Sequence, residues 1–162
     1  MRIMSSLLPT PKRIRLAPEV YQGPAAFSVV ISTAQRFALF HNGRAIQMCV
    51  SALEKTSPRH SMVVLVYFFM PDHLHLLLEG GEGSNLIRFM KTFKQVSAYC
   101  YRQAFKQSLW QKGYHEHVLR KDGDMRTVAE YIFYNPVRAG LVESAWEYPF
   151  SGGSLLTALR AT

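Results

Sequence analysis

The sequence predicts a single α+β domain, and three observations predict it. Runs of β-branched and aromatic residues alternate with helix-period segments in the order β, α, β, β, α, β, followed by a further helix. Two of the strand-like runs, Met62 to Met70 and His73 to Glu79, are separated only by Pro71 and Asp72, a gap that fits a tight antiparallel turn. The 162 residues, 48% hydrophobic and 12% aromatic, suit one well-filled core rather than two domains or a disordered chain. Order and hairpin together describe a ferredoxin-like sandwich with an antiparallel sheet and an added C-terminal helix.

Each element has a local reason. Residues 1–25 are rich in proline and basic side chains, Lys12, Arg13 and Arg15 among them, and are expected to form an irregular arm before a domain over 26–162. FSVVIST, Phe27 to Thr33, is β-branched and reads as the first strand. Asn42 then opens a helix in which Ile46, Cys49, Val50 and Leu53 recur at helical spacing, ending near Pro58. The nearly unbroken apolar run from Met62 to Met70 reads as a central strand covered on both faces. In HLHLLLE the two-residue period sends His73 and His75 to one face and Leu74 and Leu76 into the core. Ser84 or Asn85 can cap a long helix over about residues 85–107, where Phe89, Phe93, Val96 and Cys100 share one arc. LWQKGYHEHVLR supplies a turn and a short strand. The last predicted helix has Asp124 as N-cap and Pro136 at its end, and Trp146, Tyr148 and Phe150 are expected to pack back on the domain.

Nineteen basic against eleven acidic residues give a net charge of +8, which favours a polyanionic partner such as nucleic acid. On the long helix Arg88, Lys91, Lys94, Arg102 and Lys106 gather opposite the apolar arc without an acidic neighbour, a stripe suited to phosphate. Cys49 and Cys100 are too few for a zinc ribbon or a disulfide framework and read as small core residues. No run reaches the roughly 20 apolar residues of a membrane span, and the first residues have no useful apolar signal region. A cytoplasmic location is expected.

Two imidazoles side by side on a strand are either packed and hydrogen-bonded to each other or half of a divalent-metal site. Tyr131 and Asn135, four apart on the last helix, share a face and stand one turn apart. If that helix crosses the sheet, Asn135 can add an oxygen to His73 and His75, a mixed set suited to Mg²⁺ or Mn²⁺. The Tyr131 hydroxyl would then attack a phosphodiester and form a covalent phosphotyrosine. Spacing alone leaves core packing open for all four.

MPDHLH and YIFYNPVRAG (Tyr131 to Gly140), with FMKTFK, LWQKGYHEH and WEYPFSG in the same order, resemble the single-tyrosine HUH transposases, in particular the REP-associated tyrosine transposases. The resemblance runs from about residue 21 to residue 154. It implies that Tyr131 is the nucleophile, that His73 and His75 hold metal and that Asn135 completes the site. The implied reaction is cleavage and rejoining of single-stranded DNA beside palindromic hairpins, by a monomer or a homodimer. Asp72 stands where the resemblance leads one to expect Asn, and adds a carboxylate that strengthens metal binding or faces solvent. His117 matches a recurrent His that positions DNA or the nucleophile. Tyr134, three residues on from Tyr131, is a second candidate hydroxyl. His115 is expected to face away, and a four-histidine zinc site with His117 is a rival reading. A nucleic-acid-binding protein without cleavage activity is another.

Overall fold

The hairpin forms where the apolar runs place it, with β2 at Met62–Met70 and β3 at His73–Gly80. The computed structural model describes residues 15–120 and 122–161. Around the hairpin lie β1 (Ala25–Ser32), α1 (Gly43–Thr56), α2 (Leu86–Phe105) and β4 (His115–Leu119), in the predicted order. After them come α3 (Asp122–Phe133), α4 (Asn135–Arg138), a two-residue strand β5 (Ser151–Gly152) and α5 (Ser154–Arg160). The sheet order is β4-β1-β3-β2-β5, antiparallel throughout. Its first four places are those of a ferredoxin-like α+β sandwich, and β5 adds an edge.

β3 thus lies in the middle of the sheet, bonded to β1 and β2 on its two sides. Leu74, Leu76 and Leu78 meet Phe27, Val29 and Ile31 of β1 in a core closed by Cys49 and Leu53 of α1 and by Phe89 and Phe93 of α2. On the opposite face Leu77 joins Val66, Phe68 and Met70 beneath Ile132 of α3, Tyr148 and Leu156 of α5. Helices on both sides explain why β2 reads as a continuous apolar run. β2 carries an irregularity between Val64 and Val66. Gly153 lies against Leu65 there, with φ +111°, and a side chain would run into the Leu65 carbonyl.

Caps follow the residue chemistry. The Asn42 side chain accepts from the Arg44 amide at 2.9 Å, and Asn85 accepts from the Arg88 amide at 3.0 Å. Ser84 is not the cap; its hydroxyl donates to the Gly23 carbonyl at 3.0 Å. Asp124 is not one either, because α3 begins at Asp122 and takes Asp124 into its first turn, where an acidic side chain suits the helix dipole. Cys49 is buried as expected, but Cys100 is exposed, since Tyr101 takes the buried place on that turn of α2. Of the C-terminal aromatics, Tyr148 is buried and its hydroxyl donates to the Phe69 carbonyl at 2.5 Å, while Phe150 is partly buried. Trp146 stays half exposed with its ring 4.7 Å from that of Phe133. Lys12 and Arg13 of the expected arm lie outside the described residues. Within it, Pro18–Tyr21 form a 3-10 turn that buries Tyr21 in the core. No described helix is long and apolar enough to cross a membrane.

Truncating the core should cost more than removing a cap. Leu76→Ala is expected to lower the unfolding free energy by about 2–5 kcal/mol and Asn85→Ala by about 1 kcal/mol. Urea titration compares them, and equal losses would contradict the central position of β3.

Candidate active site

The β3 alternation lifts His73 and His75 off the leucine core onto the α3 face. His75 pairs with Val30 of β1 and Phe68 of β2, and His73 with Ser32 and Met70. His75 is buried and His73 partly so. Their Nε2 atoms are 3.1 Å apart, with the rings nearly perpendicular at 77°.

A charged clamp holds this pair from the turn. Asp72 Oδ1 lies 2.6 Å from His73 Nδ1, and Asp72 Oδ2 meets Arg36 Nη2 at 2.9 Å and Nε at 3.1 Å. Arg36 also donates to Ser32 Oγ at 3.2 Å. The turn after β1 that presents Arg36 has Gln35 and Arg36 both at positive φ, 52° and 56°. Thr33 secures it, with its amide and hydroxyl both donating to the Asp72 carbonyl at 3.0 Å. Asp72 therefore belongs to the site rather than facing solvent freely.

α3 brings the second half. It ends at Phe133, and Tyr134 (φ −85°, ψ 1°) separates it from α4, whose second residue Pro136 has no N–H to continue the ladder. The turn presents the Asn135 side-chain amide to His75 Nε2. Arg138 folds back so that its Nη2 donates to the Tyr131 carbonyl and its guanidinium carbon sits 4.1 Å from the Tyr131 ring centre. Asn135 and Tyr131 consequently differ in role. Asn135 touches the histidine pair, whereas Tyr131 is 58% exposed and its hydroxyl has no hydrogen-bond partner among the described residues. Tyr134 is exposed too, with its ring 5.1 Å from that of Phe133.

Burial drives the protonation of His75. Desolvation, with the nearby His73 and Arg138, pushes its pKa down to about 3, so it is neutral with a lone pair to offer near pH 7. Burial alone would raise the Asp72 carboxyl, but the hydrogen bonds and charges of His73 and Arg36 outweigh it and hold it below the usual carboxylate range.

His115 and His117 lie exposed on β4, paired with Val30 and Ser28 of β1. The register puts both on the sheet face of His73 and His75, so His115 does not face away. β1 nevertheless separates β4 from β3, and neighbouring strands are about 4.8 Å apart. Among the described residues no three His, Cys, Asp or Glu side chains form a metal group, so the four-histidine zinc site does not form. Of the basic stripe, Arg88, Lys91, Arg102 and Lys106 are exposed. Lys94 departs from it: its ammonium donates to the Gln111 and Gly113 carbonyls at 3.1 and 3.2 Å. Sequence reasoning missed Arg36 and Arg138. Nothing local marks Arg36, but Arg138 stands inside YIFYNPVRAG.

The sheet order and the polar cluster under a broken C-terminal helix define an α+β protein with a histidine–asparagine site on one sheet face. The chain belongs to the family of IS200-like transposases, whose model matches residues 24–135. It is similar to a candidate REP-associated tyrosine transposase of Haemophilus influenzae, at 32% identity across 62% of this chain and 64% of that protein. The REP-associated tyrosine transposase of Escherichia coli is 26% identical across 65% of this chain and 62% of its own length. The chain thus spans a little under two thirds of each of these curated relatives. A solved REP-associated tyrosine transposase bound to a REP hairpin has the same fold, at a TM-score of 0.73 and 22% identity, covering 86% of this chain and 81% of that one. A candidate transposase from Deinococcus radiodurans aligns at a TM-score of 0.54 and 22% identity, over 69% of this chain and 91% of its own.

The depressed His75 value fixes a direction for pH. Between pH 6.5 and about 3 the unfolded chain binds a proton there that the folded chain does not, so stability falls as pH falls through that window. Asp72 acts lower, because its lowered carboxyl contributes stability above the ordinary carboxylate range and loses it as pH falls through the folded value. His75→Gln should therefore flatten the upper part of the acid limb in denaturant titrations. An unchanged curve would mean that folded His75 binds its proton normally.

Proposed function

We propose that this chain is a metal-dependent DNA transposase or nickase that cleaves and rejoins single strands near palindromic hairpins through a phosphotyrosine on Tyr131. The contact between the Asn135 amide and the His75 imidazole carries the reading. It joins the His-x-His hairpin to the tyrosine motif across 60 residues of sequence. Family membership supports transposition chemistry, and the solved REP-associated tyrosine transposase bound to a REP hairpin, which shares this fold, supports a hairpin substrate.

The donor set fits a hard divalent cation such as Mg²⁺ or Mn²⁺. Two imidazole nitrogens face each other, and the Asn135 amide meets one of them; turned about its terminal bond, it offers oxygen instead. Asp72 occupies His73 Nδ1, which orients the other ring nitrogen toward the site. His73, His75 and Asn135 would hold the ion, with positions left for phosphate and water. When bound, it polarises the scissile phosphate and offsets the charge that develops there.

The residues divide the remaining work. Tyr131 Oη forms the new bond to phosphorus while the bond to the leaving strand oxygen breaks, and solvent exchanges the protons at both oxygens. A later strand hydroxyl attacks the phosphotyrosine and restores a phosphodiester, so no nucleoside triphosphate is needed. Arg138 fixes the Tyr131 ring and brings a cation to the side where the phosphate approaches. Tyr134, three residues on, is the alternative hydroxyl, and His117 is assigned to positioning DNA or the nucleophile.

Labelled hairpin oligonucleotides from the DNA flanking the gene, with Mg²⁺ or Mn²⁺, test this by covalent adduct formation on a denaturing gel. The adduct should be lost on chelation, in Tyr131→Phe and in His73→Ala, and should persist in Tyr134→Phe. Asp72→Asn should weaken the metal requirement's affinity by about 10–100-fold. Restoration on mixing Tyr131→Phe with His73→Ala would assign the two motifs to different subunits of a dimer. Tight hairpin binding by the wild type without any adduct would favour a binding protein instead.

A further inference from the structure

The strongest unassigned feature lies on the other face of the sheet. Tyr99 is 67% exposed, the most exposed large apolar side chain among the described residues. At 100° per residue it shares an arc of about 80° on α2 with Arg88, Lys91, Gln95 and Arg102, a row about 21 Å long. Beside this row α2 and residues 108–112 enclose a groove of about 480 Å³, whose charged lining is Lys94, Arg102 and Lys112. Of the eleven acidic residues in the chain, none lies between Glu82 and Glu116.

The far wall of the groove is braced. Lys94 pins the Gln111 and Gly113 carbonyls, and Trp110 Nε1 donates to Ser97 Oγ of α2 at 2.9 Å. The wall is also bonded to the end of β1, with the Gln111 amide donating to the Ser32 carbonyl and the Ala34 amide to the Leu109 carbonyl, both at 2.9 Å. Ser32 is the sheet neighbour of His73 and the partner of Arg36. Groove and candidate active site thus meet at one end of the sheet, from opposite faces.

We propose that this groove binds an unpaired single-stranded stretch of the DNA substrate, with Tyr99 as the platform on which a base stacks and Arg102 and Lys112 as phosphate contacts. Only an unpaired base can offer its flat face to Tyr99, and a wholly basic lining matches the phosphates on either side. Lys94 acts here as a brace, its ammonium spent on backbone carbonyls. The strand lies across α2 against a wall whose Gln111 is bonded to Ser32, the partner of Arg36 beside Asp72 and His73. This inference rests on the DNA-processing reading given above, and it adds where the unpaired flank is held.

Fluorescence anisotropy with a short oligothymidylate and with a blunt hairpin lacking any overhang separates the possibilities. Tyr99→Ala should weaken oligothymidylate binding by roughly 5–150-fold and leave the blunt hairpin within about twofold, whereas Tyr99→Phe should retain wild-type affinity. Arg102→Ala and Lys112→Ala should each reduce the slope of log affinity against log salt by about 0.7. Lys55→Ala, which removes the same charge from the exposed side of α1, should change that slope less. Oligothymidylate affinity unchanged in Tyr99→Ala, or equal loss on both probes, would overturn the groove while leaving wild-type adduct formation intact. A wild-type protein that binds neither probe and forms no adduct would overturn the groove and the proposed function together. Tyr99 is exposed, so thermal unfolding of its variants should match the wild type.

Discussion

The alternation along β3 is the constraint on which the rest of this molecule depends. Leucines at 74, 76 and 78 and histidines at 73 and 75 occupy opposite faces of one central strand. A slip of one residue would put imidazoles among the α1 and α2 side chains and leucines under α3. Pairing on both edges of β3 and the tight Pro71–Asp72 turn hold the register. The site is rigid because the core needs the same alignment.

Burying an imidazole requires partners, and the surrounding elements supply them. Asp72 is held by Arg36 on one side and holds His73 on the other, so the turn after β1 and the β2–β3 turn act as one unit. His75 receives its partner from the far end of the chain, where the break at Tyr134 turns Asn135 toward the sheet. The same break lets Arg138 return over Tyr131, which places the phenol at the surface rather than in the core. The phenol is thus held at the surface by Arg138, while the neutral His75 imidazole is buried against the sheet.

The two sheet faces divide their tasks. One carries the polar cluster beneath α3; the other is sealed by α1 and α2, and the outer side of α2 bears the basic row. β1 connects them, since its last residue touches both the Arg36–Asp72–His73 chain and the 108–112 segment.

Short-range rules determined much of this. The two-residue period set the faces of β3, the apolar run set β2 as a strand covered twice, and Asn42 and Asn85 marked helix starts, because each effect acts within a few residues. The motifs around His73, His75, Tyr131 and Asn135 were equally legible, and so was the family they belong to. Tertiary structure alone decided the rest. Arg36 is an ordinary surface arginine until the sheet sets it against Asp72, and Lys94 belongs to a charged stripe until the 108–113 segment folds over it. Cys100 has the spacing of a core residue, yet Tyr101 fills that place. Tyr131 and Asn135 share a helical face on paper, but Pro136 denies the ladder its N–H, and the chain bends to send one side chain to the imidazoles and the other to solvent. These outcomes depend on contacts between residues far apart in sequence, which periodicity and local propensity do not contain.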